Sequence, residues 1–288
     1  VIIKSLNTLN EEIIKEIREL ELLCIQYDNL KGEIFLDNSL TFNRDIKNIF
    51  LAYEDEKLIS LIYMFIPRKK EAEISAYTMP EYRRRGYFKE LLLRAIKELQ
   101  EYNIPDILFV CESQSKNGKE VIKHIHGKYD FTEYVLKYNS ENNIVKKHND
   151  SKVELYKVEL EDMDTLITLN EKIFKQSYEE IKTMVMNTFK SEDRESYLGV
   201  LNGEFIGMGA LAFDGDEVTI FDFGVSPKHQ GKGIGQELLM LLIKEIKKLN
   251  RNNIILEVDS ENERAFNLYK KCGFEIQRAV EYYRRKVI

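Results

Sequence analysis

Two halves of this chain can be laid over one another, and that repeat limits the possible folds more than any other feature of the sequence. Placing Arg83-Arg84-Arg85-Gly86 over Gln230-Gly231-Lys232-Gly233 fixes a shift of 147 residues. At that shift Pro80 falls on Pro227, Leu91-Leu92 on Leu238-Leu239, Lys57-Leu58-Ile59 on Glu204-Phe205-Ile206, and Ile107-Leu108 on Ile254-Ile255. Chance matching of apolar residues would not also align a proline, a glycine and a helix start, so the register implies duplication of one structural unit. Farther on, Asp130-Phe131 matches Gly273-Phe274 at a shift of 143, which implies four residues gained or lost between. Each copy has about 140 residues, enough for a core of its own.

Hydrophobic periodicity repeats with the motifs. The second half predicts a strand at 152–158, helices at 163–174 and 178–189, and a hairpin of strands 197–201 and 205–213 around Asn202-Gly203, a type I′ turn pair. A strand at 218–225, a helix at 235–249, a strand at 254–258, a helix at 263–271 and a strand at 282–287 follow. The first half predicts a helix at 11–24, strands at 49–53, 58–66 and 71–78, a helix at 87–102, a strand at 107–111, a helix at 119–126 and a strand at 131–138. The polar, aperiodic stretch 141–151 is the expected linker, which gives domains at 1–140 and 152–288.

Composition excludes several function classes. The formal charge is −6, and acidic residues outnumber basic ones in both halves, so a nucleic-acid partner is not expected. No apolar run reaches the roughly 18 residues of a membrane helix and no leader pattern opens the sequence, so a cytoplasmic location without membrane partners is expected. Cys24, Cys111 and Cys272 lie far apart, and His124 and His126 would point to different sides of a helix; no disulfide framework and no metal are expected. Oligomeric state is not legible.

The chemistry-bearing segment is Val225–Gly235, V-S-P-K-H-Q-G-K-G-I-G, between a strand and an amphipathic helix. Gly231, Gly233 and Gly235 strip side chains from the helix start, where free N–H groups and the helix dipole favour an anion, and Lys232 adds positive charge. A diphosphate is the natural guest; glycines that merely ease a helix start are the plainer reading. A P-loop would need G-x-x-x-x-G-K-[ST], which is absent. A dinucleotide fingerprint fails because Gln236 stands where its third glycine belongs.

The segment Gln230–Gly235, with Val225-Ser226-Pro227 before it, resembles motif A of the GNAT acyltransferase superfamily, [QR]-x-x-G-x-[GA]. Asn262-x-x-Ala265-x-x-Leu268-Tyr269-x-x-x-Gly273-Phe274 is similar to motif B. The resemblance covers nearly all of 152–288 and reaches the first half through the repeat. It implies an α/β (α+β) protein of two tandem GNAT-like domains, each a mixed, mostly antiparallel sheet flanked by helices and splayed near the motif A strand. It also implies acetyl-CoA as acyl donor, held by Gln230, Gly231, Lys232, Gly233, Ile234, Gly235 and Asn262, with Val225 pairing the pantetheine arm. The expected activity is N-acetylation of a primary amine, on a small molecule or a peptide or protein N-terminus, by direct transfer. A non-catalytic acyl-CoA-binding or regulatory protein is the alternative.

Such a transfer needs a base for the amine, a donor for the carbonyl oxygen and an acid for the departing thiolate. Tyr269 stands where the family keeps its acid; otherwise it is a helical tyrosine packing beside Leu268. Glu257 interrupts the apolar run Ile254–Val258, where a carboxylate needs work or partners, and resembles the glutamate of enzymes that acetylate protein N-termini. An edge carboxylate is the other reading. Asp222, between two phenylalanines, is the reserve base, and the backbone N–H near Val225 is the expected oxyanion donor. In the first copy, Arg83, Arg84, Arg85, Gly86, Tyr87 and Phe88 form a possible second cofactor site. There Phe88 replaces Gly235, Val110 replaces Glu257, and the 143 shift sets His126 against Tyr269 and Lys119 against Asn262. The first copy is therefore expected to be degenerate, with an arginine-rich diphosphate site as the opposite arrangement.

Overall fold

The computed structural model describes residues 1–142 and 152–287. The expected linker therefore lies, from residue 143 on, outside the described residues. Packing divides the chain into two compact units: unit 1 is Val1–Thr132 with Arg278–Ile288, and unit 2 is Glu133–Gln277.

Unit 1 begins with β1 (Ile2–Leu6) and α1 (Glu11–Asp28), continues through β2 (Ile49–Glu54), β3 (Lys57–Phe65), β4 (Glu71–Thr78) and α2 (Tyr87–Glu101), and ends its first copy with β5 (Asp106–Glu112) and α3 (Lys116–His124). Strands β1 to β4 pair antiparallel in order, and β4 pairs parallel with β5. Both sheet faces are covered, which is why β2 reads as an unbroken apolar run. Ile49, Leu51 and Tyr53 pack with Ile17, Leu20 and Cys24 of α1, while Phe50 and Ala52 pack with Leu91, Leu92 and Ala95 of α2.

The strand β6 (Lys128–Tyr138) carries the chain into unit 2, where β7 (Val153–Lys157), α4 (Met163–Phe174), α5 (Tyr178–Lys190), β8 (Arg194–Leu201), β9 (Glu204–Asp214), β10 (Glu217–Val225), α6 (Ile234–Lys248), β11 (Asn253–Asp259), α7 (Glu263–Lys271) and β12 (Phe274–Lys286) follow. Strands β7 to β10 pair antiparallel in order, and β10 pairs parallel with β11. Asn202 (φ 52°) and Gly203 (φ 79°) form the expected left-handed turn. One face of the sheet holds α4 and α5 through Leu166, Ile167, Ile181 and Val185; the other holds α6 through Leu239, Leu242, Ile243 and Ile246.

The final strands cross over. Residues 133–137 of β6 pair antiparallel with β11 in unit 2, and residues 280–286 of β12 pair antiparallel with β5 in unit 1. Copies that run 1–140 and 152–288 in sequence are therefore cut elsewhere by packing. The strand β1 was not expected, and β12 starts eight residues before the predicted 282. Among the described residues no helix is long and apolar enough to cross a membrane.

The repeat register is also corrected. Ser115 caps α3 as Asn262 caps α7, both helices have nine residues, and His126 (φ 63°) and Gly273 (φ 97°) both turn left-handed behind them. The shift thus stays at 147 through these helices, and the Asp-Phe/Gly-Phe match at 143 is accidental. The counterpart of Asn262 is Ser115 rather than Lys119, and that of Tyr269 is buried Ile122 rather than His126.

Candidate functional site

In unit 2 the end of β10 sets the site. The Ser226 N–H donates to the Ile206 carbonyl at 2.8 Å, so by strand alternation the N–H and C=O of Val225 face away from β9. The Val225 carbonyl accepts from Gln230 Nε2 at 2.8 Å, and Gln230 Oε1 accepts from Arg264 Nη1 at 2.8 Å. Gln230 therefore ties the strand, the glycine loop and α7 together, and its side chain is committed to holding the loop. Gly231 (φ 76°) and Gly233 (φ 84°) are left-handed, and a β-carbon at either would meet nothing within 4 Å. Gly233 caps α6 without any side chain, so no capping side chain takes the first amides of the helix. Ile234 is buried and offers only its backbone, and Gly235 lies against Leu268. Lys232 turns its ammonium onto the Lys228 carbonyl, 2.9 Å away, on the exposed side of the loop. Uncapped amides, absent side chains and a nearby lysine fit a diphosphate group.

Beside the loop the sheet opens. Parallel pairing of β10 with β11 stops at Ile220–Leu256, although the strands run on to Val225 and Asp259. A bulge interrupts β10 between Phe221 and Gly224, with Asp222 at φ 47°. The bulge adds one residue: Val218 pairs with Ile254, whereas in unit 1 Glu71, its counterpart at 147, pairs with Asp106. No register shift occurs in the β3–β4 pairing of unit 1. Behind the bulge lies a cleft of about 220 Å³ lined by Phe174, Ile220, Phe221, Asp222, Phe223, Glu257, Val258, Asp259, Asn262 and Tyr269. All three candidate catalytic residues share it.

Their environments differ. Tyr269 is 7% exposed and packed near Phe223 and Phe274. Burial, with a smaller push from Cys272, raises its pKa to about 12, so the phenol keeps its proton through neutral pH. Glu257 is exposed, which overturns the argument that it is a carboxylate buried in an apolar strand: β11 is apolar on one face and opens Glu257 and Asp259 to solvent on the other. Asn262 accepts from the Ala265 N–H at 3.1 Å, so it caps α7 as well as lining the cleft. Burial lifts the Cys272 thiol to about 12, and it is inert.

Unit 1 repeats the loop and the opening, since β4–β5 pairing stops at Ile74–Phe109 although the strands run on to Thr78 and Glu112, but its residues there are engaged differently. Arg84 (φ 61°) and Gly86 (φ 91°) take the left-handed places of Gly231 and Gly233, and Arg83 Nε donates to the Thr78 carbonyl at 2.9 Å as Gln230 does to Val225. The Arg83 guanidinium, however, forks onto Asp28 at 3.0 and 2.6 Å, and Asp28 also accepts from Asn117, the counterpart of Arg264, at 2.8 Å. Burial opposes the Asp28 charge, but the bonds from Arg83 and Asn117 outweigh it and hold the carboxyl below its usual range. Glu112, the counterpart of Asp259, accepts from the N–H groups of Lys31 and Gly32. The segment Asp28–Gly32 is thus bonded to the counterparts of Gln230, Arg264 and Asp259, of which Asp259 lines the unit 2 cleft. Arg85 lies 5.0 Å from the Tyr82 ring, Tyr87 donates to Glu54 and Phe88 packs on the core, so the arginine run is mostly spoken for.

The family model for "Acetyltransferase (GNAT) family" matches residues 14–122 and 154–274. The chain belongs to the GNAT family. Among curated relatives, a [ribosomal protein bS18]-alanine N-acetyltransferase of Escherichia coli is 36% identical over 90 residues, 30% of this chain and 61% of that enzyme. The L-amino acid N-acyltransferase MnaT of the same species is 33% identical over 66 residues, 23% of this chain and 38% of its own length. Among solved structures, a GCN5-related N-acetyltransferase from Sphaerobacter thermophilus matches with a TM-score of 0.78 at 16% identity, covering 99% of this chain and 95% of its own. A tandem GNAT protein from the clavulanic acid biosynthesis pathway matches at 0.75 and 10%, covering 99% and 98%. The tandem GNAT fold that the motif resemblance and the repeat together implied is the one this chain has. Sequence reasoning missed Arg264, whose signal was its place two residues after Asn262, and the phenylalanines that wall the cleft.

Proposed function

We propose that unit 2 moves an acetyl group from acetyl-CoA to a primary amine, with one such site per chain. The observation that carries this reading is the opening between β10 and β11, which gathers Asp222, Glu257, Asn262 and Tyr269 beside the open glycine loop. A coenzyme A thioester would supply the activated acyl carbon. The amides of Gly231 to Gly235 would hold its diphosphate, and the outward N–H of Val225, whose carbonyl already accepts from Gln230, would face the thioester carbonyl oxygen.

Glu257, solvated and at the cleft wall, accepts the amine's proton directly or through water. As the C–N bond forms and the C–S bond breaks, Tyr269 donates toward the sulfur. Full transfer from a phenol at about 12 to an alkyl thiolate near 8.5 would be uphill by roughly 3 to 4 units. Tyr269 therefore acts by hydrogen bonding to the developing thiolate, and solvent completes the exchange. In unit 1, Ile122 and Val110 offer neither group, and Arg83 and Glu112 are engaged by the segment Asp28–Gly32.

The test is to mix the full chain with acetyl-CoA and a panel of primary amines while measuring free thiol and, by calorimetry, binding stoichiometry. Amine-dependent thiol release with a stoichiometry near one is expected. Binding without release toward any amine would leave a non-catalytic cofactor-binding protein instead, and a stoichiometry near two would give unit 1 a site.

A further inference from the structure

Turns of one backbone shape lead into the two glycine loops, but different side chains hold them. In unit 1 the turn opens at Met79 (φ −49°, ψ 132°) and leaves at Arg83 (φ −66°, ψ 157°). In unit 2 it opens at Ser226 (φ −56°, ψ 142°) and leaves at Gln230 (φ −69°, ψ 155°). The backbone bonds match as well. Met79 N–H donates to the Ile59 carbonyl and Tyr82 N–H to the Met79 carbonyl, as Ser226 N–H does to Ile206 and His229 N–H to Ser226, all at 2.8 to 2.9 Å. Met79 is buried and packs with Tyr82 in the apolar cluster beneath α1. Ser226 is buried too, but its hydroxyl is hydrogen-bonded to His229 Nδ1 at 2.9 Å. A hydroxyl and an imidazole placed where the other copy uses apolar packing are costly unless they satisfy each other. Glu204, largely exposed and 3.9 Å from His229 Nε2, adds little.

The strand end that enters this turn needs holding. Pairing of β10 with β11 stops at Ile220, and the bulge separates the pairs Gly224–Met208 and Val225–Gly207 from the rest of the β9 ladder. Behind Val225, two consecutive side chains of the turn grip two consecutive residues of the strand end. Gln230 takes the Val225 carbonyl and His229 the Ser226 hydroxyl. A donor displaced by about 1 Å from a reacting group can cost on the order of 10²-fold in rate.

We propose, on the basis of the transfer reaction set out above, that Ser226 and His229 are positioning residues for it. Their hydrogen bond holds the Val225 N–H at the thioester carbonyl. The diphosphate is held farther along, by the amides of Gly231 to Gly235, so loss of the bond lowers turnover and leaves cofactor affinity nearly unchanged.

The experiment uses the full chain with acetyl-CoA and the best amine of the panel. Ser226→Ala and His229→Phe are each expected to lower kcat about tenfold or more, with KM for acetyl-CoA held within about twofold. The double variant should fall no further than either single one, because both remove the same bond. Ser226→Thr, which keeps the hydroxyl, and His229→Asn, which keeps a polar group at the place of Nδ1, should restore most of the rate. Should His229→Phe fail to fold, Ser226→Ala beside Ser226→Thr decides alone. Single variants with wild-type kcat, losses that multiply in the double variant, or a rise in KM that matches the fall in kcat would each overturn the positioning role while leaving acetyl transfer intact. Thiol release by the wild type from none of the amines would overturn the transfer reading and this inference with it.

Discussion

Two neighbouring positions of the cleft show how environment sorts residues of similar promise. Tyr269 and Glu257 both came from sequence position, yet one is buried and uncharged and the other exposed. For Tyr269 the direction of the shift fixes the pH dependence. A phenol raised to about 12 stays protonated throughout the range in which an amine acceptor gains reactivity by losing its proton. Initial rates at limiting amine should therefore rise with pH and show no descending limb below about pH 10; a fall between pH 8 and 9 would mean another acid. Because Tyr269 works by hydrogen bonding, Tyr269→Phe should lower kcat about 10²-fold, the lower end of what general acids contribute, with acetyl-CoA affinity unchanged. Steady-state kinetics beside calorimetry would check it, and a loss of affinity would recast the residue as a cofactor contact. The loop offers a cleaner separation. Arg84 already holds in unit 1 the left-handed turn that Gly231 holds in unit 2, so Gly231→Ala should cost about 1 kcal/mol of stability. On the proposed reading its β-carbon would crowd the diphosphate, and KM for acetyl-CoA should rise tenfold or more, read from saturation curves beside a melting scan.

At the level of elements, much was legible because periodicity and punctuation agreed: the α6 face, the Asn202-Gly203 hairpin and the cap of α7 by Asn262 all carry local signals. The bulge in β10 was not, since an extra residue in a strand leaves no local mark, and Asp222 differs from its neighbours only by tolerating a left-handed φ. Yet that bulge gives β10 a residue that β4 lacks: Ser75 opposite Tyr63 matches Phe221 opposite Ala210, and Asp222 follows within the insertion. The segment Asp28–Gly32 was equally hidden, because its meaning lies in partners 55 to 89 residues away. It supports a prediction of its own. Asp28→Ala removes one half of a largely buried pair with Arg83, whose side chains are 11% and 23% exposed. Loss of about 2 to 3 kcal/mol is expected, at the low end for a broken buried pair because Arg83 keeps the Thr78 carbonyl. The folded Asp28 pKa is depressed, so this contribution exists above the unfolded value near 4 and is lost as pH falls through the folded one. Denaturant titrations should accordingly show wild type and Asp28→Ala far apart at pH 7 and converging only as pH falls below the usual carboxylate range; a gap that persists in strong acid would place the cost elsewhere.

For the whole molecule, duplication was readable and the exchange of final strands was not, because a strand's own residues do not name the edge it will join. Physically the exchange matters more. Val135, Leu136 and Tyr138 of β6 are all buried in unit 2, with Leu136 and Tyr138 in the cluster that holds α6 and α7. At about 1.5 to 3 kcal/mol for each large apolar side chain buried, the three side chains supply a sum comparable with the 5 to 15 kcal/mol that holds an ordinary domain together. Tyr283 of β12 packs against the unit 1 core in the same way, beside the Arg284 pairs with Glu71 and Asp130. Fragments 1–146 and 147–288 should therefore fail to fold when made separately, since each lacks a strand of its own major unit and carries a strand of the other's. Cleaving the folded chain at a protease site placed between 143 and 151 should be silent by contrast: the two pieces should elute together in gel filtration and retain acetyl-CoA binding until denaturant is added. Mixing the separately made fragments should restore that binding, with a second-order dependence on their concentrations. Two independently folded monomers, one binding the cofactor alone, would show instead that the strands belong to their own copies and that the exchange does not hold the fold.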